Sequence, residues 1–180
     1  MVYIILGKGF EEIEAIAPCD ILRRGGVQVQ FAGIDGLEIT GSNGITVKAD
    51  LTVEDMDLDA AEMIVLPGGL RGVNSILGSE TAMNAVKYAN AKGKYIGAIC
   101  AAPTILAGLG YTNAKQATVY PGMESQMGPA ALKNAPVAAD CNILTGRAAG
   151  SALDFGYLLL EKLKGAEVAE KIRTAMVYKA

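Results

Sequence analysis

Apolar positions along the chain fall into two alternating patterns. Short apolar, β-branched runs at residues 2–6, 27–32, 63–66, 95–99 and 142–144 read as strands covered on both faces. Between them, residues 10–24, 80–91, 101–109, 151–163 and 167–176 place their apolar side chains at helical spacing. This alternation predicts a parallel α/β sandwich. Residues 39–47 break the pattern, because Gly41, Ser42, Asn43 and Gly44 sit between β-prone residues. They predict a hairpin appended to the sheet and its main antiparallel element. Residues 53–62 hold Glu54, Asp55, Asp57, Asp59 and Glu62 among few large apolar side chains, which predicts a solvated surface connection. Neither an internal repeat nor a linker is visible, so residues 1–180 are expected to form one domain.

Composition narrows the chemistry. Sixteen basic residues against nineteen acidic ones give a net charge of -3 and a pI near 5.0, and no basic run exceeds Arg23-Arg24. That leaves no electrostatic footprint for nucleic acid or an anionic membrane. The chain has no histidine, which excludes Ser-His-Asp and Cys-His catalysis and every His-containing metal site. Cys19, Cys100 and Cys141 are widely spaced and form no CxxC pair, so they read as free thiols of a reducing, cytoplasmic compartment. No basic residue precedes the first apolar run, and that run is too short for a signal peptide. The uncharged stretch 95–114 is long enough to span a bilayer, but Gly97, Pro103, Gly108 and Gly110 interrupt it. It reads as a strand, a turn and a core helix.

In an open α/β sheet, ligands bind beyond the carboxyl ends of the strands. This directs attention to residues 7–14, 67–69 and 100–102. Cys100 follows the strand YIGAI and precedes the helix AAPTILAGL, on a sharp elbow where a helix N-terminus would lower the thiol pKa. The alternative is a small buried hydrophobe. On a helical wheel, Glu14 falls inside the arc of Phe10, Ile13, Ala17 and Ile21, whereas Glu12 points out. A carboxyl there is either a protonated donor towards the thiolate or a buried acid paired with Arg23, Arg24 or backbone N–H groups. Asp20, near the same arc, reads as a structural ion pair. Gly68, Gly69 and Ala101 either offer N–H groups to a developing oxyanion or form a plain turn. Gly7-Lys8-Gly9 opens like a dinucleotide fingerprint, but Glu11 and Glu12 would repel a pyrophosphate, which argues against a nicotinamide or flavin site.

Read together, GKGFEEIEAI, PCDILRRGG, IVLPGG, AICAAPTILAG and ILTGRAAGSALDFG resemble the ThiJ/PfpI superfamily from end to end. The resemblance is to the branch of bacterial ThiJ-like proteins and the parkinsonism-associated protein DJ-one. It implies a flavodoxin-like three-layer sandwich, usually a homodimer whose first helix, around Asp20 to Arg24, lies near the twofold partner. Cys100 would be the oxidisable nucleophile and Glu14 its protonated partner, while Gly68, Gly69 and Ala101 match the oxyanion-side N–H groups. No cofactor is implied.

The activities that the resemblance implies are conversion of 2-oxoaldehydes such as methylglyoxal to hydroxy acids, deglycation of glycated substrates, and stress protection with chaperone activity. Tyr120, in TVYPG, stands where many members carry histidine. Tyrosine is a poor general base at neutral pH, which argues against peptidase or amidase chemistry. Two readings compete: a cofactor-independent glyoxalase or deglycase, and a redox-sensing chaperone or interaction protein whose cysteine is oxidised. Thiamine biosynthesis finds no phosphate-binding feature to support it.

Overall fold

The computed structural model describes residues 1–179. In chain order, β1 (Val2–Leu6), α1 (Glu12–Arg24) and β2 (Val29–Gly33) lead into a small hairpin, β3 (Glu38–Thr40) with β4 (Thr46–Lys48). There follow β5 (Leu51–Thr52), β6 (Met63–Leu66), α2 (Leu70–Gly78), α3 (Glu80–Ala91), β7 (Tyr95–Ile99) and α4 (Pro103–Gly108). The chain continues through β8 (Gln116–Ala117), β9 (Ala131–Leu132), β10 (Val137–Asp140) and β11 (Ile143–Gly146) to α5 (Ala152–Lys164) and α6 (Ala166–Ala175). Seven strands form one sheet in the order β10-β11-β7-β6-β1-β2-β5, parallel throughout except for the β10–β11 pair. The fold is the flavodoxin-like α/β sandwich that the sequence implies.

Strand periodicity divides the core into two layers. Val2, Ile4, Leu6, Met63, Val65 and Leu144 face Ile21 and Leu22 of α1 and Phe155 and Leu159 of α5. The alternate residues Tyr3, Ile5, Ile64, Leu66, Ile96 and Ile143 face Val73 and Ile76 of α2, Val86 of α3, and Ile105 and Leu106 of α4. Both faces of the central strands are therefore covered, which is why those segments carry almost no polar side chains. The chain leaves β1 towards β2 on one side and returns with β6 on the other. Loops following β1 and β6 thus diverge above the sheet and open a crevice at the switch point.

Several boundaries differ from the sequence expectation. The 39–47 hairpin forms a separate two-stranded sheet, and the antiparallel strand of the main sheet is β10. Helix α2, the short β5 and the β8–β9 pair were not anticipated. Helix α4 is only six residues long and begins at Pro103, because Cys100 to Ala102 are used in the turn. On α1 the buried set is Glu12, Glu14, Ala15, Pro18, Cys19, Ile21 and Leu22, while Ile13 is exposed. The wheel assumed one covered face, whereas the hairpin tip also covers the Glu12 side of the helix. No helix among the described residues is long and apolar enough to cross a membrane.

Helices α1 and α5 pack tightly at Gly156, where a Cβ would lie 2.7 Å from the Ile21 Cδ1 atom and 3.1 Å from the Pro18 Cα atom. The Pro18 contact is with backbone, so a branched side chain must spread the two helices. Gly156→Val is expected to cost about 2–3 kcal/mol in urea unfolding, in the range of overpacked cores. A loss below about 0.5 kcal/mol, the range of ordinary surface substitutions, would show that the helix pair is loosely packed.

Candidate active site

Cys100 leaves β7 with φ 65°, a left-handed conformation that costs a non-glycine residue on the order of 1–3 kcal/mol. Its surroundings hold it there. The Cys100 N–H donates to the Gly146 carbonyl at 2.9 Å, the Cys100 carbonyl accepts from the Tyr120 N–H at 2.9 Å, and the Ala102 N–H closes the turn on the Ile99 carbonyl at 3.0 Å. A sharp strand-to-helix turn of this kind lifts the side chain out of the sheet edge. The N–H groups that favour the thiolate belong to Ala101 and Gly69. They do more for it than α4, which starts three residues further on and is short.

Glu14 projects from the first turn of α1 and is fully buried. The Glu11 N–H donates to the Gly68 carbonyl at 3.0 Å, and the Gly68 N–H donates to Glu14 Oε2 at 2.8 Å. This reciprocal pair clamps the loop after β6 to the start of α1. Glycine is required in the clamp, since a Cβ at Gly68 would lie 2.6 Å from Glu14 Oε2 and 2.7 Å from Cys100 Cβ. Gly69 has φ 80°, and a Cβ there would lie 2.5 Å from the Gly9 carbonyl oxygen. Because its N–H already serves Glu14, Gly68 is unavailable to an oxyanion. Gly69 and Ala101 remain.

Burial pushes the Glu14 carboxyl up to about 7, with the charge of Glu11 adding and the Gly68 N–H and Cys100 opposing. Its Oε1 is buried without a hydrogen-bond partner, a costly state for an ionised carboxylate and a cheaper one for a neutral acid. Arg23 does not serve it, bonding instead to the Val29 carbonyl and Asp50. Arg24 pairs with Asp20 in an exposed i,i+4 contact at 2.8 Å. Glu14 is therefore not part of a structural ion pair, and Asp20 is. Glu12, expected to point outward, is buried, and burial raises its carboxyl pKa. Even so, side-chain and backbone donors from Asn43, with Ile45, hold that carboxyl below the ordinary range.

The Cys100 thiol departs from the expected acidic state. Burial first, then the charge of Glu14 and their contact, push it up to about 12 against the Ala101 and Gly69 N–H groups. Both groups are thus shifted upward, and each sets the other's protonation. A neutral Glu14 removes the charge that opposes the thiolate, while burial, the largest cause, continues to hold the thiol up. Cys19 is buried and pushed up to about 11 by burial, with Arg23 opposing. Cys141 is exposed, and its Sγ donates to Asp140 at 3.3 Å.

An open cavity of about 470 Å³ lies above Cys100, walled by Gly69, Leu70, Ala101, Tyr120 and Met123, with Glu11 and Gln126 at its edge. Tyr120 is brought to the cavity as its half-exposed wall. Glu11, Leu70, Met123 and Gln126 were not foreseen as lining residues. For Glu11 a signal existed, since it immediately precedes α1 at the ligand edge. No group of three potential metal ligands occurs among the described residues.

The folded state keeps Glu14 protonated up to about 7, whereas the unfolded chain loses that proton near 4.5. Stabilisation from the neutral acid is complete below 4.5 and is lost as pH rises through 7. The shift is worth up to about 3 kcal/mol. Glu14→Gln, which lacks this titration and still accepts from Gly68, is expected to gain stability over the parent between pH 5 and pH 8. Urea midpoints across that range check the sign. A constant difference would mean that Glu14 does not titrate there.

The DJ-1/PfpI family profile matches residues 1–162. Protein dj-1beta of Drosophila melanogaster is 33% identical over 177 residues, 97% of this chain and 95% of that protein. Its crystal structure superimposes with a TM-score of 0.94 at 32% identity, covering 99% and 98% of the two chains. The structure of oxidised Toxoplasma gondii DJ-1 gives a TM-score of 0.94 at 31% identity, over 99% of this chain and 98% of that one. A deglycase of Pyrococcus abyssi is 33% identical over 151 residues, 83% of this chain and 90% of that protein. The glycine-clamped carboxyl beside an elbow cysteine thus sits in a chain that belongs to the DJ-1/PfpI family.

Proposed function

We propose that this protein is a cofactor-independent enzyme of carbonyl-stress protection that converts 2-oxoaldehydes such as methylglyoxal to 2-hydroxy acids, or releases them from glycated substrates. The observation that carries this reading is the pairing of a buried carboxyl raised to about 7 with a cysteine held at a left-handed elbow. General acid–base transfer works best with a pKa near the operating pH. The name of the Pyrococcus abyssi relative supports the deglycase variant.

The Cys100 thiolate adds to the aldehyde carbon, and the new alkoxide takes the Glu14 proton. The product is a hemithioacetal, with the Gly69 and Ala101 N–H groups stabilising negative charge beside the sulfur. Ionised Glu14 then removes the C1 proton, giving an enediol, and returns it to C2 while the hydroxyl proton moves from O1 to O2. C1 is oxidised and C2 reduced within one molecule, leaving a thioester. Water, deprotonated by Glu14, cleaves the thioester to the hydroxy acid and restores thiolate and neutral acid.

Purified reduced protein is expected to convert methylglyoxal to an equal amount of lactate. Cys100→Ala should abolish turnover, and Glu14→Gln should lower kcat by on the order of 10²- to 10⁴-fold while alkylation of Cys100 persists. Undiminished turnover in Cys100→Ala would remove this mechanism. A second reading is favoured by the oxidised Toxoplasma gondii structure: peroxide converts Cys100 to a sulfenic or sulfinic acid, and the protein acts as a stress-responsive chaperone. Loss of the thiol to peroxide with no lactate formed would select it.

The assembly proposed is a homodimer. Ile13, Ile16, Ile45 and Leu153 are exposed and line one apolar depression with Ala17 and Asp20. A twofold contact would cover these exposed aliphatic side chains with a copy of themselves. Sedimentation of the reduced protein at micromolar concentration should give a dimer that Ile16→Glu converts to monomer. A monomeric parent would refute the assembly.

A further inference from the structure

The hairpin of β3 and β4 belongs to neither layer of the main sheet, yet its tip is tied to the site. The Ser42 N–H donates to the Phe10 carbonyl at 2.8 Å. Ser42 Oγ donates to Glu11 Oε2 at 2.8 Å, and Asn43 Nδ2 donates to Glu11 Oε1 at 3.0 Å. Both carboxylate oxygens of Glu11 are thereby fixed by neutral donors, which orient the charge without cancelling it. No salt bridge to Glu11 occurs among the described residues. Glu11 lines the Cys100 cavity, and no Lys or Arg does. Lys8 and Arg71 line a separate recess, and Lys133 and Arg147 a different cleft. On the opposite rim, Gly122 is held by Glu124, whose Oε2 accepts its N–H at 2.8 Å.

We propose that Glu11, held by the hairpin tip, is a specificity-determining charge that makes the Cys100 cavity disfavour anionic carbonyl compounds such as 2-oxo acids. Neutral 2-oxoaldehydes and carbonyl adducts on cationic side chains are admitted. The step from cavity to carbonyl substrate rests on the function proposed above, whereas the charge selection rests on the cavity alone. A carboxylate entering a partly desolvated cavity beside a fixed like charge pays repulsion that a neutral molecule of the same size does not. Glu14, beneath the cavity floor, is pushed towards its neutral form partly by Glu11. The same charge that excludes anions therefore also favours the protonated acid.

Alkylation of Cys100 by iodoacetamide and by iodoacetate, followed on the Cys100 peptide by mass spectrometry, isolates the filter from catalysis. Both reagents lose iodide to the same thiolate, so the thiolate fraction cancels in their rate ratio. The iodoacetate-to-iodoacetamide ratio should be about 3- to 10-fold lower than for N-acetylcysteine at the same pH and salt, as expected for a like charge at this range. In the parent protein it should rise with ionic strength. Glu11→Gln should bring it near the small-thiol value, whereas Glu12→Gln, which lies outside the cavity, should change it less than about twofold. A parent ratio equal to that of the free thiol overturns the proposal, and so does an equal rise in both variants. Turnover then joins the two readings: Glu11→Gln should favour 4,5-dioxopentanoate, a 2-oxoaldehyde that carries a carboxylate, relative to methylglyoxal by a similar factor. A clear filter without any turnover would leave this inference standing and remove the enzyme reading.

Discussion

The site depends on one contact, that of a buried carboxyl group with a thiol where neither has a counter-cation. A carboxylate out of water normally finds an arginine, a lysine or several N–H donors. Glu14 has a single backbone donor, at 2.8 Å, one orphaned oxygen and a cysteine. Burial therefore drives both groups towards their neutral forms, and ionising either makes the other harder to ionise. With the carboxyl at about 7 and the thiol at about 12, Glu14 is the group of the two that exchanges its proton near neutral pH. A carboxyl moved to about 7 covers the range an imidazole would ordinarily supply.

Placing that contact takes three separate loops, and the sheet topology brings them together. The loop after β1 carries Gly7 to Glu11, the loop after β6 carries Gly68 and Gly69, and the elbow after β7 carries Cys100. Strand order reverses between β1 and β6, so the first two loops part and leave room for α1 to insert Glu14 between them. Glycine is needed at positions 68 and 69 because the Glu14 and Cys100 side chains and the backbone after Gly9 fill the space a Cβ would take. The left-handed turn at Cys100 is held through hydrogen bonds from β11 and from the Tyr120 segment, elements far away in sequence. The strain at the nucleophile is offset by the sheet rather than by its own loop.

How much of this the sequence discloses follows from which forces are local. The central strands are read from their apolar runs because burial on both faces leaves little choice of side chain. Cys100 and Glu14 draw notice because a thiol at a strand-to-helix elbow and a carboxyl on an apolar helix face are unusual, whereas Gly68 and Gly69 are what a plain turn also carries and stand out only beside those two. Burial of Glu12 was missed because wheel geometry describes one helix against one layer. The hairpin tip that covers Glu12 comes from residues about thirty positions later. Helix α2 has strong helical periodicity from Leu70 to Gly78, but a glycine-rich start obscured it. The thiol's raised pKa was illegible because the helix-terminus argument counts partial charges and not the desolvation and the neighbouring carboxyl that outweigh them.

The hairpin shows what local signals leave out in another way. Gly41 to Gly44 announce a turn, and the turn is there, but nothing in a turn signal tells where its tip will dock. In the folded chain that tip supplies donors to Glu11 and Glu12. Gly41 itself is required because a Cβ would lie 2.4 Å from the Glu12 carboxyl. Two adjacent glutamates at the start of a helix are held there by neutral donors, and for Glu12 those donors keep the carboxyl below its ordinary range despite burial. Of this pair, which in a dinucleotide fold would be an obstacle to phosphate, Glu11 lines the cavity beside Cys100 while Glu12 is bonded by Asn43 of the hairpin tip.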